Sequence, residues 1–126
     1  QGCIYEEHLS SITLKPHQFI LGQTYESIVL PNNIVGKIEG KRSLARLGIS
    51  IHQTGGWIDA GFSGTITLEI YNASDNEITL YPFDKIGQIV FFKTKRCKNP
   101  YGSESNNNHY QNQSKPRLSE FQHEIY

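Results

Sequence analysis

The chain has 126 residues and a mass of 14.3 kDa, enough for one domain with a hydrophobic core and too few for two ordinary ones. Twelve basic residues balance twelve acidic ones, so no overall field draws the molecule onto nucleic acid or an anionic membrane, and any anion site must be local. No apolar run approaches the roughly 20 residues that span a bilayer, and the first residues lack the basic start and apolar stretch of a signal peptide.

Cys3 and Cys97 lie far apart and form no CxxC pair, which argues against a disulfide framework or a cysteine zinc site and fits a reducing cytoplasm. The chain opens on Gln1 rather than Met, as expected if processing or an upstream piece has removed something.

Taken in chain order, short runs rich in β-branched and aromatic residues recur between Pro, Gly, Asn and Asp. They are Ser11 to Leu14, Phe19 to Leu21, Ser27 to Leu30, Thr65 to Tyr71, Glu77 to Tyr81 and Lys85 to Lys93, and they predict an all-β domain. Between the third and fourth, Ser43-Leu44-Ala45-Arg46-Leu47-Gly48 predicts one helical turn, with Ser43 as its cap and Gly48 as its left-handed stop. Gly40-Lys41-Arg42-Ser43 joins a strand-like segment to this turn, where backbone amides and two cations could meet a phosphate or simply face water.

The stretch from Thr54 to Gly64 sets four glycines around Trp57 and Asp59, either to let backbone approach a ligand or to make a hairpin with tight turns. In Thr65-Ile66-Thr67-Leu68-Glu69-Ile70-Tyr71 the alternation puts Ile66, Leu68 and Ile70 on a buried face and Thr65, Thr67, Glu69 and Tyr71 on the other. Glu69 is then either an exposed surface carboxylate or, if partly desolvated, a proton shuttle. Beyond Arg96 the composition turns to Asn, Ser, Gln and Lys, including Asn106-Asn107-Asn108, and predicts a mobile polar tail over 96–126 that orders on binding, after a β domain over 1–95. The five histidines, at 8, 17, 52, 109 and 123, show no HExxH or zinc-deaminase spacing, so no protein-bound catalytic metal is expected.

The ordered series from Ile38 through Gly40-Lys41-Arg42-Ser43-Leu44-Ala45-Arg46 to Ile49, then His52-Gln53-Thr54-Gly55-Gly56-Trp57-Ile58-Asp59-Ala60-Gly61-Phe62 and on to Glu69, resembles the dCTP deaminases of the trimeric family that also contains the dUTPases. It extends upstream through Phe19 to Glu26 and Leu30-Pro31, and downstream through Ile78 to Pro82, Ile86-Gly87-Gln88 and Phe91-Phe92. The resemblance implies a distorted jelly-roll β-barrel, a homotrimer with deoxynucleoside triphosphate sites between subunits, and a magnesium ion (Mg2+) carried on the triphosphate.

It further implies that Glu69 is the general acid and base of hydrolytic deamination, that Arg46 supports the reacting centre, and that Asp59 lies by the deoxyribose, where its dUTPase equivalent helps hold the attacking water. Lys41, Arg42, Ser43, Gly55, Trp57 and Thr67, with Tyr101, His109, Tyr110 and Gln113 of the tail, fall among the implied nucleotide contacts. Gly56-Trp57-Ile58-Asp59 is similar to the branch that converts dCTP through dUTP to dUMP.

Three departures stand out: Arg42 replaces a serine near the catalytic water, Gly55 stands where alanine is usual and His109 where the lid offers lysine, and the family's amino-terminal segment has no counterpart before Gln1. Deamination of dCTP, alone or coupled to triphosphate cleavage, is the expected activity. A plain dUTPase and a catalytically silent nucleotide-binding regulator on the same fold are the alternatives.

Overall fold

The computed structural model describes residues 10–96, 98–103 and 112. Its elements follow the order β1 (Ile12–Leu14), β2 (Phe19–Val29), β3 (Ile34–Gly40), α1 (Arg42–Leu47), β4 (Ile49–Ser50), β5 (Trp57–Ile58), β6 (Ser63–Asn72), β7 (Ile78–Leu80) and β8 (Gly87–Lys93). The expected all-β architecture with one helical turn is what forms.

The ladders do not close into one continuous barrel. Among the described residues β1 pairs with β7, β6 lies between β2 and β4, and β3 lies between β5 and β8, every pairing antiparallel. β4 and β5 are only two residues long, and β2 breaks register between Gln23 and Ser27, so hydrogen bonding is interrupted where a barrel would need it to run on. Closure comes from side chains instead: Leu14, Leu30, Ile38, Ile49, Ile51, Ile58, Phe62, Ile66, Leu68, Ile70 and Leu80, drawn from all three sheets, form one buried cluster.

β2 is a single strand where the sequence shows two separate runs. Thr24 joins them: its Oγ1 accepts the Ile66 N–H at 2.9 Å and donates to the Glu26 carbonyl at 2.7 Å, replacing ladder bonds across the irregularity. In β6 the alternation holds throughout, with Gly64, Ile66, Leu68, Ile70 and Asn72 buried and the residues between them half-buried.

Asn72 is the one buried polar side chain of the described core, and its hydrogen bonds are satisfied. Its Nδ2 donates toward the carbonyls of Leu14, Lys15 and Asn76 at 3.3, 3.2 and 2.8 Å, and its Oδ1 accepts from the N–H and hydroxyl of Ser74 at 2.9 and 2.8 Å. The end of β1 is thereby tied to the turn that follows β6.

The helix begins two residues earlier than a Ser43 cap would place it. Lys41, extended at φ −100° and ψ 135°, occupies the cap position with no side-chain hydrogen bond, and its carbonyl accepts the Ala45 N–H at 2.9 Å. Ser43 therefore sits inside the first turn, because backbone geometry at Lys41 closes that turn without an oxygen-bearing cap. Gly48 does take the left-handed stop, at φ 100°, and a Cβ there would meet the Ser74 backbone nitrogen at 3.0 Å.

Candidate active site

Glu69 projects from the half-buried polar face of β6, as its place in the alternation requires. Its backbone N–H donates to the Ile51 carbonyl at 2.9 Å, and its Oε1 accepts the Gln53 N–H at 3.3 Å. The Gln53 side chain in turn donates from Nε2 to the Ser50 hydroxyl at 3.2 Å. The carboxylate is thus held by the chain that continues from β4. Neither Gln53 nor Ser50 has a periodicity or motif of its own that marks it as a support.

α1 packs beside β4 and its stop is fastened to the turn after β6, with the Ala73 N–H donating to the Gly48 carbonyl at 2.8 Å. Lys41, Arg42, Ser43 and Arg46 all lie exposed on or next to this helix, at the Gly40 end of β3. Thr67, two residues before Glu69, shares its face and is half-buried. The basic pair, Arg46, Thr67 and Glu69 therefore occupy the α1–β4–β6 side of the domain.

Asp59 belongs to the other end. β5 runs antiparallel to β3 with Trp57 opposite Lys37 and Ile58 opposite Gly36, so the chain leaves β5 toward Ile34 and away from α1. Exposed Asp59 then opens a turn in which its carbonyl accepts the Phe62 N–H at 3.1 Å, while the Gly61 N–H donates to Leu30 at 3.1 Å. Ser63 and Glu69 stand six residue steps apart along β6, about 20 Å at the rise of a strand, which puts the turn that carries Asp59 at the far end of that span from Glu69.

Tyr101 sits with Asp59. Its N–H donates to the Ala60 carbonyl at 2.7 Å, its ring lies 5.7 Å from that of Phe62, and it packs against the core cluster. Gly61, at φ 90°, makes room for it: a Cβ there would collide with the Tyr101 carbonyl and stand 2.8 Å from Pro100 Cβ. His109, Tyr110 and Gln113 lie outside the described residues.

The glycine-rich stretch divides by role. Gly56 is a close-approach glycine, since a Cβ would come within 2.9 Å of the Ile38 carbonyl and 3.3 Å of the His52 ring. Gly55 has φ 85° and nothing within 4 Å, so it supplies a left-handed backbone beside open space. Trp57 is 57% exposed, tilted against Phe92 at 5.7 Å between centroids, with Lys37 Nζ 5.5 Å from its ring centroid and paired to Glu39 at 3.0 Å. Its open area suits stacking of a planar ligand. Among the described residues no three His, Cys, Asp or Glu side chains converge as a metal cage, and no helix is long and apolar enough to cross a membrane.

The fold of this three-sheet β domain has a counterpart among solved structures. The native dUTPase of EIAV superposes with a TM-score of 0.59 at 24% identity, over 78% of this chain and 87% of that one, which establishes the dUTPase-like fold. The family model described as dCTP deaminase-like matches residues 4–94, and the chain belongs to that family.

Similar relatives share close to half their residues with it. A protein of Methanospirillum hungatei is 50% identical over 95% of this chain and 64% of its own length, and one of Methanoregula boonei is 48% identical over 91% and 62%. One of Thermobifida fusca is 49% identical over 84% and 55%. Each bears the name "dCTP deaminase, dUMP-forming". The chain spans about three fifths of the length of the curated relatives it matches.

Proposed function

We propose that the chain carries the hydrolytic deamination of dCTP to dUTP, coupled to cleavage of the triphosphate to give dUMP, in pyrimidine deoxynucleotide metabolism of the cytoplasm. The observation that supports this reading above the others is Glu69, half-buried on the polar face of β6 with its Oε1 oriented by the Gln53 N–H, in a chain about half identical to proteins named for this activity.

In this reading Glu69 takes a proton from water as its oxygen adds to C4 of the cytosine. The same carboxyl gives that proton to the ring nitrogen, then takes the proton of the new C4 hydroxyl and passes it to the amino group; as the C4–N bond breaks, C4 becomes a carbonyl and ammonia leaves, with dUTP as the product. Arg46 supplies positive charge beside the reacting centre, and Lys41, Arg42 and Ser43 meet phosphate oxygens. Trp57 and Gly55 border the base, Thr67 lines the same face as Glu69, and Tyr101, His109, Tyr110 and Gln113 complete the nucleotide contacts.

For the second step Asp59 positions the sugar and the water that attacks the phosphate chain, releasing pyrophosphate and dUMP. Magnesium, carried by the triphosphate itself, supplies charge neutralisation there, and its oxygen-rich preference demands no all-protein cage.

The separation of Asp59 from Glu69 within one chain supports a homotrimer in which neighbouring subunits bring the two ends together. Incubation with dCTP or dUTP and magnesium, with identification of products, tests the reading: ammonia and dUMP from dCTP are expected. Pyrophosphate from dUTP without ammonia from dCTP points to a dUTPase. Binding without turnover points to a silent nucleotide-binding regulator, the reading favoured by Arg42, a bulky cation exposed at the start of α1.

A further inference from the structure

Two residues beyond Glu69 on the same face of β6, the Tyr71 hydroxyl lies 3.4 Å from Nδ1 of His17, at the long end of hydrogen bonding. The other ring nitrogen, Nε2, lies 3.2 Å from Oδ1 of Asp75. His17 occupies the turn between β1 and β2 at φ 62°, a left-handed conformation uncommon for any residue but glycine, and its backbone N–H donates to the Asn72 carbonyl at 2.8 Å. Its side chain is 57% exposed and that of Asp75 is 96% exposed, so their pairing contributes little to stability. Stability does not account for this imidazole.

One arrangement of protons satisfies both contacts at once. A carboxylate oxygen accepts, so the tautomer that satisfies both contacts has its hydrogen on Nε2, leaving Nδ1 to accept and Tyr71 to donate. The phenol is thereby drawn toward the β1–β2 turn. Tyr71 is also the cross-strand partner of Ser50, whose hydroxyl accepts from the Gln53 side chain, and the Gln53 N–H holds Glu69. Cross-strand neighbours on one face interact directly, so the placement of Tyr71 bears on the edge from which Gln53 springs.

We propose that His17 is a positioning residue: by accepting the Tyr71 O–H it fixes the ring that stands opposite Ser50 across the strand pair and so steadies the Ser50–Gln53 segment that supports the Glu69 carboxylate. This assignment rests on Glu69 as the proton shuttle.

The test uses the full chain with His17→Gly, Tyr71→Phe and the double substitution. Glycine accepts φ 62° without strain, so H17G should keep a thermal midpoint close to that of the unmodified chain. Each single substitution should lower kcat for dCTP deamination roughly fivefold, the size of one neutral hydrogen bond, with KM unchanged. The double variant should fall no further, because both remove the same interaction.

Independently of turnover, solvent-exchange NMR should show the Gln53 amide exchanging faster in both single variants. Ring nitrogen shifts of His17 should report the Nε2–H form, with D75N weakening that preference. Unchanged Gln53 exchange, unmodified kcat in H17G, or losses that multiply in the double variant would each overturn the assignment. A Glu69→Gln variant that still deaminates would instead remove the reading on which it rests, so the two failures are distinguishable.

Discussion

The Gln53 N–H reaches Oε1 of Glu69 at 3.3 Å, so the carboxylate on β6 is held by the chain leaving β4 rather than by its own strand. Its position along β6 follows from alternation, and its orientation follows from a contact between residues 16 positions apart. This pairing makes Glu69 the point at which the two proposed chemistries can be separated.

Replacing Glu69 by Gln keeps size and the acceptor for Gln53 but removes the titrating group. We expect dCTP deamination to fall by roughly 10² to 10⁴, the usual contribution of general acid–base catalysis, with dCTP binding and dUTP cleavage retained. Asp59→Asn should do the converse and reduce dUMP formation from dUTP. Steady-state release of ammonia and pyrophosphate by the two variants gives the crossed pattern, and equal loss of both products in both variants would contradict the division of roles.

The split of the candidate residues between the α1–β4–β6 side and the Asp59–Tyr101 end leads us to expect a homotrimer at micromolar concentration. Light scattering coupled to size exclusion checks this. A monomer that retains full turnover would show that one chain suffices.

Asn72 holds three carbonyls and both polar groups of Ser74 in a fully buried site. Asn72→Ala removes these five hydrogen bonds and leaves a void at a buried side chain, and we expect a loss of about 3 kcal/mol, read from the urea midpoint at unchanged m-value. A shift of only a few tenths of a kcal/mol would mean that water replaces the amide.

Gly61→Ala introduces a Cβ into the Tyr101 carbonyl and imposes a non-glycine residue at φ 90°. We expect a destabilisation of about 1–3 kcal/mol and loss of protection at the Tyr101 amide, measured by hydrogen exchange. Gly55→Ala, at φ 85° but beside open space, carries only the backbone strain and should cost about 1 kcal/mol with Tyr101 protection intact. If both variants behaved alike, steric contact at Gly61 would not be what seats Tyr101.

Much of this protein is determined by short-range pattern. The period-two run from Thr65 to Tyr71 assigns Ile66, Leu68 and Ile70 to the core and Glu69 to the opposite face, because successive strand side chains point to opposite sides whatever the partner. Gly48 announces the left-handed helix stop because no other residue takes that conformation so cheaply. The ordered series from Ile38 to Glu69 likewise carries the family.

Only the tertiary structure decided the rest. β4 and β5, two residues each, exist because β6 and β3 offer them edges, a property of chain remote in sequence. The helix starts at Lys41 rather than Ser43 because a backbone carbonyl closes its first turn, and residue type does not record that geometry. Tyr101, in a polar segment by composition, lies against Phe62 because Gly61 leaves a space that only the folded turn creates. Gln53 supports Glu69 through its backbone N–H, a donor that every residue except proline has, so no sequence pattern could single it out.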